Sequence, residues 1–155
     1  MATTIRTTVQ IVRASEGAAS EGGVETQLAR CDTVGPQALL ECDGLIIVTP
    51  EMLGSAAGMM KDFLDRSYYP ALGRIEARPY ALMVSAGSDG RGAAQQIERI
   101  TTGWRLRRIA DPLIVCTHAQ TPEAIEATKT VDESALHRAR EIGATLAAGL
   151  MLRLW

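Results

Sequence analysis

Hydrophobic residues along the chain fall into short unbroken runs and into longer stripes at helical spacing. Residues 44–49, 80–85 and 113–117 are apolar runs too short for a helix interior and typical of parallel strands buried on both faces. Apolar positions spaced three and four apart predict amphipathic helices after them. These positions are Ala56, Met59, Met60, Phe63 and Leu64, then Ala93, Ile97, Ile100 and Trp104, and finally Ala135, Ala139, Ile142, Leu146 and Leu150 in a closing helix over 134–152. Alternating strands and helices predict an α/β fold with a parallel sheet.

The first thirty residues carry conflicting signals. Residues 3–12 are mostly β-branched, which favours a strand by local propensity. A central strand, however, would bury Gln10 and Arg13, at a large cost in free energy. The helical stripe in this region consists of Ala2, Ile5, Val9 and Val12. We therefore predict a helix over 2–12 that frays over 15–23. Residues 24–29 follow Gly22-Gly23 and alternate between apolar and polar types, which predicts an edge strand.

Length, charge and cysteine content restrict the class of protein. The 155 residues predict a single domain, 1–155, and a net charge of −2 with only six aromatic residues gives no reason to expect nucleic acid or a membrane surface as partner. Cys31, Cys42 and Cys116 lack Cys-x-x-Cys spacing, as expected of reduced thiols in a cytoplasmic protein. No apolar run is long enough to span a membrane, and no cluster has the spacing of a metal site.

The loops at the carboxyl ends of the first two predicted strands are the candidate ligand site, because parallel sheets bind ligands at that edge. In the first loop, 49–55, a proline fixes the chain direction; in the second, 85–92, glycines permit close backbone approach. The predicted binding residues are Thr49, Pro50, Glu51, Met52, Leu53 and Gly54, with Ser85, Ala86, Gly87, Ser88, Asp89, Gly90 and Gly92. The alternatives are that Thr49-Pro50 simply ends a strand and that the second loop is a connection in which Asp89 caps the next helix.

Other enzyme classes fit these loops poorly. The glycines of the second loop occur in the reverse order of the dinucleotide-binding fingerprint. A hydrolase would need Gly-x-Ser-x-Gly, and Gly87-Ser88-Asp89-Gly90 is one residue short of it. A phospho-receiver domain would need an aspartate at the end of the first strand, where Thr49 stands.

Three segments, 42–66, 78–92 and 93–113, resemble the flavin reductase and quinone oxidoreductase branch of the flavodoxin-like proteins. The match includes Asp43-Gly44, the apolar strand, Thr49-Pro50, Gly54 and Lys61-Asp62-Phe63-Leu64-Asp65. The resemblance covers residues 24–150. It implies a flavodoxin-like, doubly wound parallel sheet in three α/β/α layers.

The same resemblance implies FMN as cofactor, NAD(P)H as electron donor, and a quinone or free flavin as acceptor. It places the N5 and O4 edge of the ring at the first loop, with Met52 or Leu53 as a wall. It places the N1, O2 and N3 edge of the ring at the second loop. No catalytic side chain is assigned.

One part of the family pattern is missing. Family members open with a strand and a Ser/Thr-rich turn that binds the flavin phosphate at a helix N-terminus. Here that strand is either absent or upstream of Met1, and Glu16 and Glu21 would repel a phosphate. Two functions remain: an FMN-binding oxidoreductase with weakened cofactor affinity, or a non-enzymatic module that lost its phosphate loop and acts through association, for example as a homo-oligomer.

Four further groups have two interpretations each. Arg105, Arg107 and Arg108 could meet the 2′-phosphate of NADPH or form a solvated helix end. Arg91 could meet the phosphates of the donor, and His118 could donate a proton to a quinone, although both residue types are also common in loops without a specific role. A Tyr-Tyr-Pro segment, 68–70, is expected to follow the predicted helix that contains Phe63 and Leu64, and to pack against a loop or against a partner chain.

Overall fold

The structure, a computed structural model, describes residues 3–119 and 121–155. Its helices are α1 (Thr3–Glu21), α2 (Pro36–Glu41), α3 (Gly58–Ala71), α4 (Arg91–Gly103), α5 (Pro122–Glu126) and α6 (Glu133–Met151). Its strands are β1 (Leu45–Met52), β2 (Ser55–Ala56), β3 (Pro79–Ala86), β4 (Arg107–Arg108) and β5 (Leu113–Cys116). The three predicted strands and the helices after them are confirmed.

β3 is the central strand, and every one of its residues is buried. It pairs in parallel with β1, from Leu45 opposite Tyr80 to Pro50 opposite Ser85, and also in parallel with β4 and β5. The short strand β2 pairs antiparallel with the end of β1. A strand covered by helices on both faces has no polar face, which explains its continuous apolar sequence.

Side chains of β3 alternate between two hydrophobic cores, one on each face of the sheet. Leu82 and Val84 pack with α3 and α4, whereas Ala81 and Met83 pack with α1 and α6. The first core is built from Ile47, Met60, Phe63, Leu64, Ile97 and Trp104; the second is built from Ile11, Leu113, Val115, Ala135, Ala139 and Ile142. The flavodoxin-like α/β/α arrangement with a mostly parallel sheet is therefore confirmed.

The N-terminal helix is confirmed but is longer than predicted. α1 continues to Glu21 instead of fraying after residue 12, and its buried face contains Ile11, Ser15 and Ala19, with Val12 only partly buried. A Cβ at Gly143 would lie 2.1 Å from the Ser15 carbonyl oxygen, so α1 and α6 are in close contact there. Ala2 lies outside the described residues, as do the side chains of Ile5 and Val9.

The predicted edge strand over 24–29 is wrong. These residues form no strand, and most of them are exposed. Alternation alone does not make a strand, because an isolated extended segment gains stability only by pairing with a neighbour. Among the described residues, the outer edge of β1 has a strand neighbour only at Glu51 and Met52, where β2 pairs with it.

Two details of α3 differ from the prediction. Met59 is 54% exposed, so the inward stripe passes through Met60, Phe63 and Leu64 without it. The segment Tyr68-Tyr69-Pro70 lies inside the helix rather than after it. Tyr68 stacks on Trp104 with ring centroids 5.8 Å apart, which places this segment against α4 of the same chain.

Candidate functional site

β1 does not end at Thr49, so the predicted loop over 49–55 was too long. The strand continues to Met52, and the turn consists of Leu53 and Gly54 alone, with φ of 52° and 75°. Met52 pairs with Ser55 across it, which is the geometry of a two-residue β-hairpin with positive φ at both central positions. The pairing with β2 extends the strand. The interpretation that Thr49-Pro50 ends the strand is also wrong.

Thr49 and Pro50 brace the base of this hairpin. The Thr49 hydroxyl donates to the Pro50 carbonyl oxygen (3.1 Å) and accepts from the Ala57 N–H (3.2 Å). The Ala57 N–H also donates to the Pro50 carbonyl at 3.2 Å, so that carbonyl points to the outer edge, where a proline with no N–H is tolerated. Thr49 is fully buried, which leaves its side chain to structural bonds.

Glu51 connects the hairpin to the start of α4. Its Oε2 accepts from the Gly90 N–H at 2.8 Å, and its Oε1 accepts from the Ala93 N–H at 3.3 Å. These groups belong to the N-terminal turn of α4, which the helix itself leaves without acceptors. Asp89, the cap considered from the sequence, instead lies 3.4 Å from Arg91 in an ion pair, and no side chain at the N-cap position bonds the helix.

Two glycines of the second loop serve contacts inside the protein. A Cβ at Gly92 would lie 2.1 Å from the Gly54 carbonyl oxygen, so the hairpin tip rests directly on the start of α4. Gly90 has φ of +82°, and a Cβ there would meet Ile114 at 2.5 Å. Only Gly87 has open space around it, and Ser88 beside it is exposed. The part of this loop that can meet a ligand is therefore 87–89.

Exposed apolar side chains border the hairpin. Leu53 is fully exposed at the tip, and Met52 before it is 41% exposed. Exposed Met59 lies in the first turn of α3, which begins two residues after β2. Flat aromatic ligands bind against apolar walls of this kind, with a few polar groups that fix their orientation.

The ends of β3 and β5 meet at the same edge of the sheet. The Thr117 N–H donates to the Ala86 carbonyl at 2.9 Å, and the Cys116 thiol donates to the Asp89 carbonyl at 3.5 Å. Burial raises the pKa of the Cys116 thiol, and the carboxylates of Asp89 and Glu51 raise it further. His118, two residues beyond β5, is exposed and has a φ of 52°.

The first turns of α1 also reach this edge. The hydroxyl oxygens of Thr8 and Ser85 lie 2.5 Å apart, although Ser85 is fully buried near the end of β3. The amino-terminal part of α1 therefore points toward the loops, while Gly22, directly after the helix, lies near Ala147 of α6. The sequence showed no sign of this contact, because the two hydroxyls are 77 residues apart.

The basic cluster lies at the other edge of the sheet. Arg107 and Arg108 form β4 opposite Pro79 and Tyr80, at the amino end of β3 and about 20 Å along the strand from Ala86. Arg107 and Arg108 are therefore strand residues out of reach of a phosphate bound at the loops, whereas Arg105 directly follows the C-cap of α4, as the helix-end interpretation expects. Their charges are engaged locally: Arg108 pairs with Glu98 and Asp111, Arg105 with Glu76, and Arg107 stacks on Trp155.

An open groove lies beside the start of α4. This groove of about 250 Å³ between α4 and β5 is lined by Arg91, Gln95, Glu98 and Ile114 among others. In the part of the chain that the structure describes, no group of His, Cys, Asp and Glu could hold a metal ion. None of the described helices is both long and apolar enough to cross a membrane.

Comparison with known proteins gives one family match and many structural matches. Residues 36–115, just over half of the chain, match the family described as NADPH-dependent FMN reductase, and the matched region contains both loops. A flavodoxin from the domain Archaea is similar, with 13% identity and a TM-score of 0.74, over 94% of this chain and 91% of that one. A flavodoxin from Streptococcus pneumoniae has 18% identity and a TM-score of 0.70, over 92% and 90% of the two chains.

A longer protein also contains this fold. The rubredoxin oxygen:oxidoreductase of Desulfovibrio gigas matches with 12% identity and a TM-score of 0.75, over 96% of this chain but only 34% of that one. The chain therefore spans about a third of that protein and nearly all of the flavodoxins. At these identities the structural matches show the fold.

Proposed function

The chain belongs to the NADPH-dependent FMN reductase family, and from that membership we propose that it binds FMN between the hairpin tip and residues 87–89 and passes electrons from NAD(P)H to a quinone or free flavin. The observation that carries the proposal is that the family match spans both loops, which the Glu51 carboxylate joins into one surface. Flavodoxins share the fold, which supports the same cofactor.

The residues at this edge suit the ring of a flavin. The ring needs an apolar wall and backbone donors at its polar edge, while the electron transfer is the chemistry of the flavin itself. Met52 and Leu53 supply exposed apolar surface, and the open space at Gly87 lets the backbone approach. The proposed binding surface is formed by Met52, Leu53, Gly54, Gly87, Ser88 and Asp89. The other predicted residues support that surface from inside the protein: Thr49, Pro50, Glu51, Ser85, Ala86, Gly90 and Gly92. Thr49, Glu51, Ser85, Gly90 and Gly92 contribute to its shape through their internal contacts.

Fewer groups at this edge of the sheet suit the phosphate of FMN than suit its ring. Among the described residues, α1 presents its amino-terminal end to the loops, and such ends favour anions. We therefore expect the ring, held at the two loops, to contribute most of the binding free energy.

The electron donor is proposed from the family name and from one side chain. Arg91 is 78% exposed at the start of α4, where it could bind a phosphate of NAD(P)H once its ion pair with Asp89 is broken. An exposed ion pair of this kind stabilises a protein by at most about 1 kcal/mol, so breaking it costs little. His118 is an exposed histidine at the same edge of the sheet. We propose that its imidazole exchanges protons with the electron acceptor.

A second candidate function rests on the open edge of β1. Between Leu45 and Thr49 no described strand pairs with that edge, and exposed edges promote association between chains. A non-enzymatic module that acts through association would use this edge and would bind no flavin.

Absorbance after FMN loading separates the two functions. The protein is incubated with excess FMN, dialysed, and scanned for the visible bands of the flavin; NADPH and NADH are then added without oxygen. Retained bands that bleach with either donor support the oxidoreductase. A colourless protein that elutes as an oligomer supports association, whereas retained bands that neither donor bleaches would remove the proposed electron donor.

A further inference from the structure

We propose that Glu51 is a positioning residue for the flavin site: its carboxylate sets the spacing between the two loops and neutralises the start of α4. This inference rests on the proposed binding of FMN at those loops. It assigns to the side chain of Glu51 a role different from contact with the ring, because both of its oxygens are engaged by backbone N–H groups of α4.

The hairpin and α4 are joined at three places. Glu51 bonds the N–H groups of Gly90 and Ala93, at 2.8 and 3.3 Å. One turn further along α4, the Gln96 side-chain oxygen accepts from the Ala56 N–H at 2.9 Å. Between these bonds, the carbonyl of the hairpin tip rests on Gly92 without room for a Cβ. The tip of the first loop therefore has one position relative to the end of the second loop, where α4 begins.

Of these three contacts, only Glu51 carries a charge. Bonds from N–H groups to a carboxylate are about twice as strong as neutral ones, and a carboxylate at a helix N-terminus also interacts favourably with the helix dipole. Loss of the carboxylate would leave two N–H groups of α4 without their acceptor. The loop that contains Gly87 and the hairpin tip that carries Leu53 would then be joined only by the Gln96 bond and the contact at Gly92, and would move more freely relative to each other.

The charge has a second consequence, for the reduced cofactor. The positive end of α4 would otherwise stabilise an anionic reduced flavin beside the second loop. The Glu51 carboxylate cancels that field and adds a negative charge of its own. Replacing it by a neutral amide should therefore shift the midpoint potential of the bound flavin to a more positive value, which a purely structural cap would not do.

Four variants separate spacing from charge. Glu51→Ala removes both the hydrogen bonds that set the spacing and the negative charge. Glu51→Gln keeps one oxygen as an acceptor for the Gly90 N–H and removes only the charge. Gln96→Ala loosens the same junction with no change in charge. Glu76→Gln removes a carboxylate that pairs with Arg105, at the opposite edge of the sheet, and is the control for overall charge.

Three quantities are measured: the dissociation constant of FMN from its fluorescence quenching, the midpoint potential of the bound flavin, and the amide exchange of Gly90 and Ala93 in protein without FMN. Glu51→Ala should weaken FMN binding about 10-fold or more and accelerate amide exchange at Gly90 and Ala93 by a similar factor, because two hydrogen bonds to a charged group are lost. Glu51→Gln should weaken binding less and shift the potential upward. Gln96→Ala should weaken FMN binding without shifting the midpoint potential. Glu76→Gln should change none of the three quantities.

The outcomes separate this inference from the proposed function. If the wild-type protein binds FMN and Glu51→Ala binds it equally well, the positioning role is wrong while the proposed function stands. An unchanged potential in Glu51→Gln overturns the role of the charge. If the wild-type protein binds no FMN, the proposed function fails, and unchanged exchange of Gly90 and Ala93 in Glu51→Ala would overturn the junction as well. Should Glu51→Ala fail to fold, Glu51→Gln and Gln96→Ala decide by the same measurements.

Discussion

The hydroxyl oxygens of Thr8 and Ser85 lie 2.5 Å apart and join α1 to the carboxyl end of the central strand. Ser85 is fully buried, and it immediately precedes the last residue of β3. The bond holds the amino-terminal part of α1 against the edge of the sheet that carries the candidate site.

Thr8→Val should lower the free energy of unfolding by about 1 kcal/mol, because a valine fills the same volume without the hydroxyl. Urea denaturation followed by circular dichroism measures the change. Thr145→Val, at an exposed position of α6, is the matched control and should lie within about 0.5 kcal/mol of wild type. Equal stability of Thr8→Val and the control would show that the bond contributes nothing to the fold.

Gly87 and Gly92 should respond in opposite ways to added side chains. Gly87 has open space and no positive φ, so Gly87→Val should weaken FMN binding through steric block while stability changes little. Gly92→Ala forces a Cβ against the Gly54 carbonyl and should destabilise the protein by about 1–3 kcal/mol, as overpacking does. Thermal unfolding and flavin titration of both variants test this pair. A Gly87→Val protein with wild-type affinity would exclude that loop from the site.

Leu53 lies at a position that suits another residue better. Its φ of 52° is unfavourable for leucine, whereas Asn-Gly is the preferred pair for this turn. Leu53→Asn should therefore raise the free energy of unfolding by about 0.5–1 kcal/mol and at the same time weaken FMN binding, since the apolar wall is lost.

Stability and affinity of Leu53→Asn are measured on the same preparation, with Leu72→Asn as an exposed control outside the hairpin. A rise in stability with unchanged affinity would mean that Leu53 does not contact the ring.

Alkaline pH should destabilise the protein through its thiols. Burial raises the pKa of Cys31, Cys42 and Cys116 above the value of 9.0 expected of a free thiol. The folded state therefore holds these protons more tightly than the unfolded state. The resulting stability is fully present below about pH 8 and is lost as the pH rises through 9 and above.

Urea unfolding of the wild type and of a Cys31→Ala, Cys42→Ala double variant, each at pH 8 and pH 10, measures this effect. The loss between the two pH values should be smaller in the variant, because every other titratable group is the same in both proteins. An equal loss would assign the alkaline effect to those other groups.

The helices and strands that the sequence predicted correctly are those whose signal is local. Hydrophobic spacing identified α3, α4 and α6, and short apolar runs identified β1, β3 and β5, because periodicity reports which face of an element is buried. The same reasoning was wrong for residues 24–29, whose alternation has no partner strand to pair with, and for Met59, which helical spacing placed inside. Neither error could be seen without knowing which neighbour each residue has.

The sequence by itself determined the fold class and the family, since each depends on residues that are adjacent in the chain or repeat at a regular spacing. It also indicated where the two loops lie, although not where the first one begins. Only the tertiary structure decided how those loops are held. The bonds from Glu51 to Gly90 and Ala93 and the contact of Thr8 with Ser85 join residues 39 to 77 positions apart. The placement of Arg107 and Arg108 at the far edge depends likewise on which strand lies beside which. Such pairings arise from packing of the whole chain, and no local pattern of residue types encodes them.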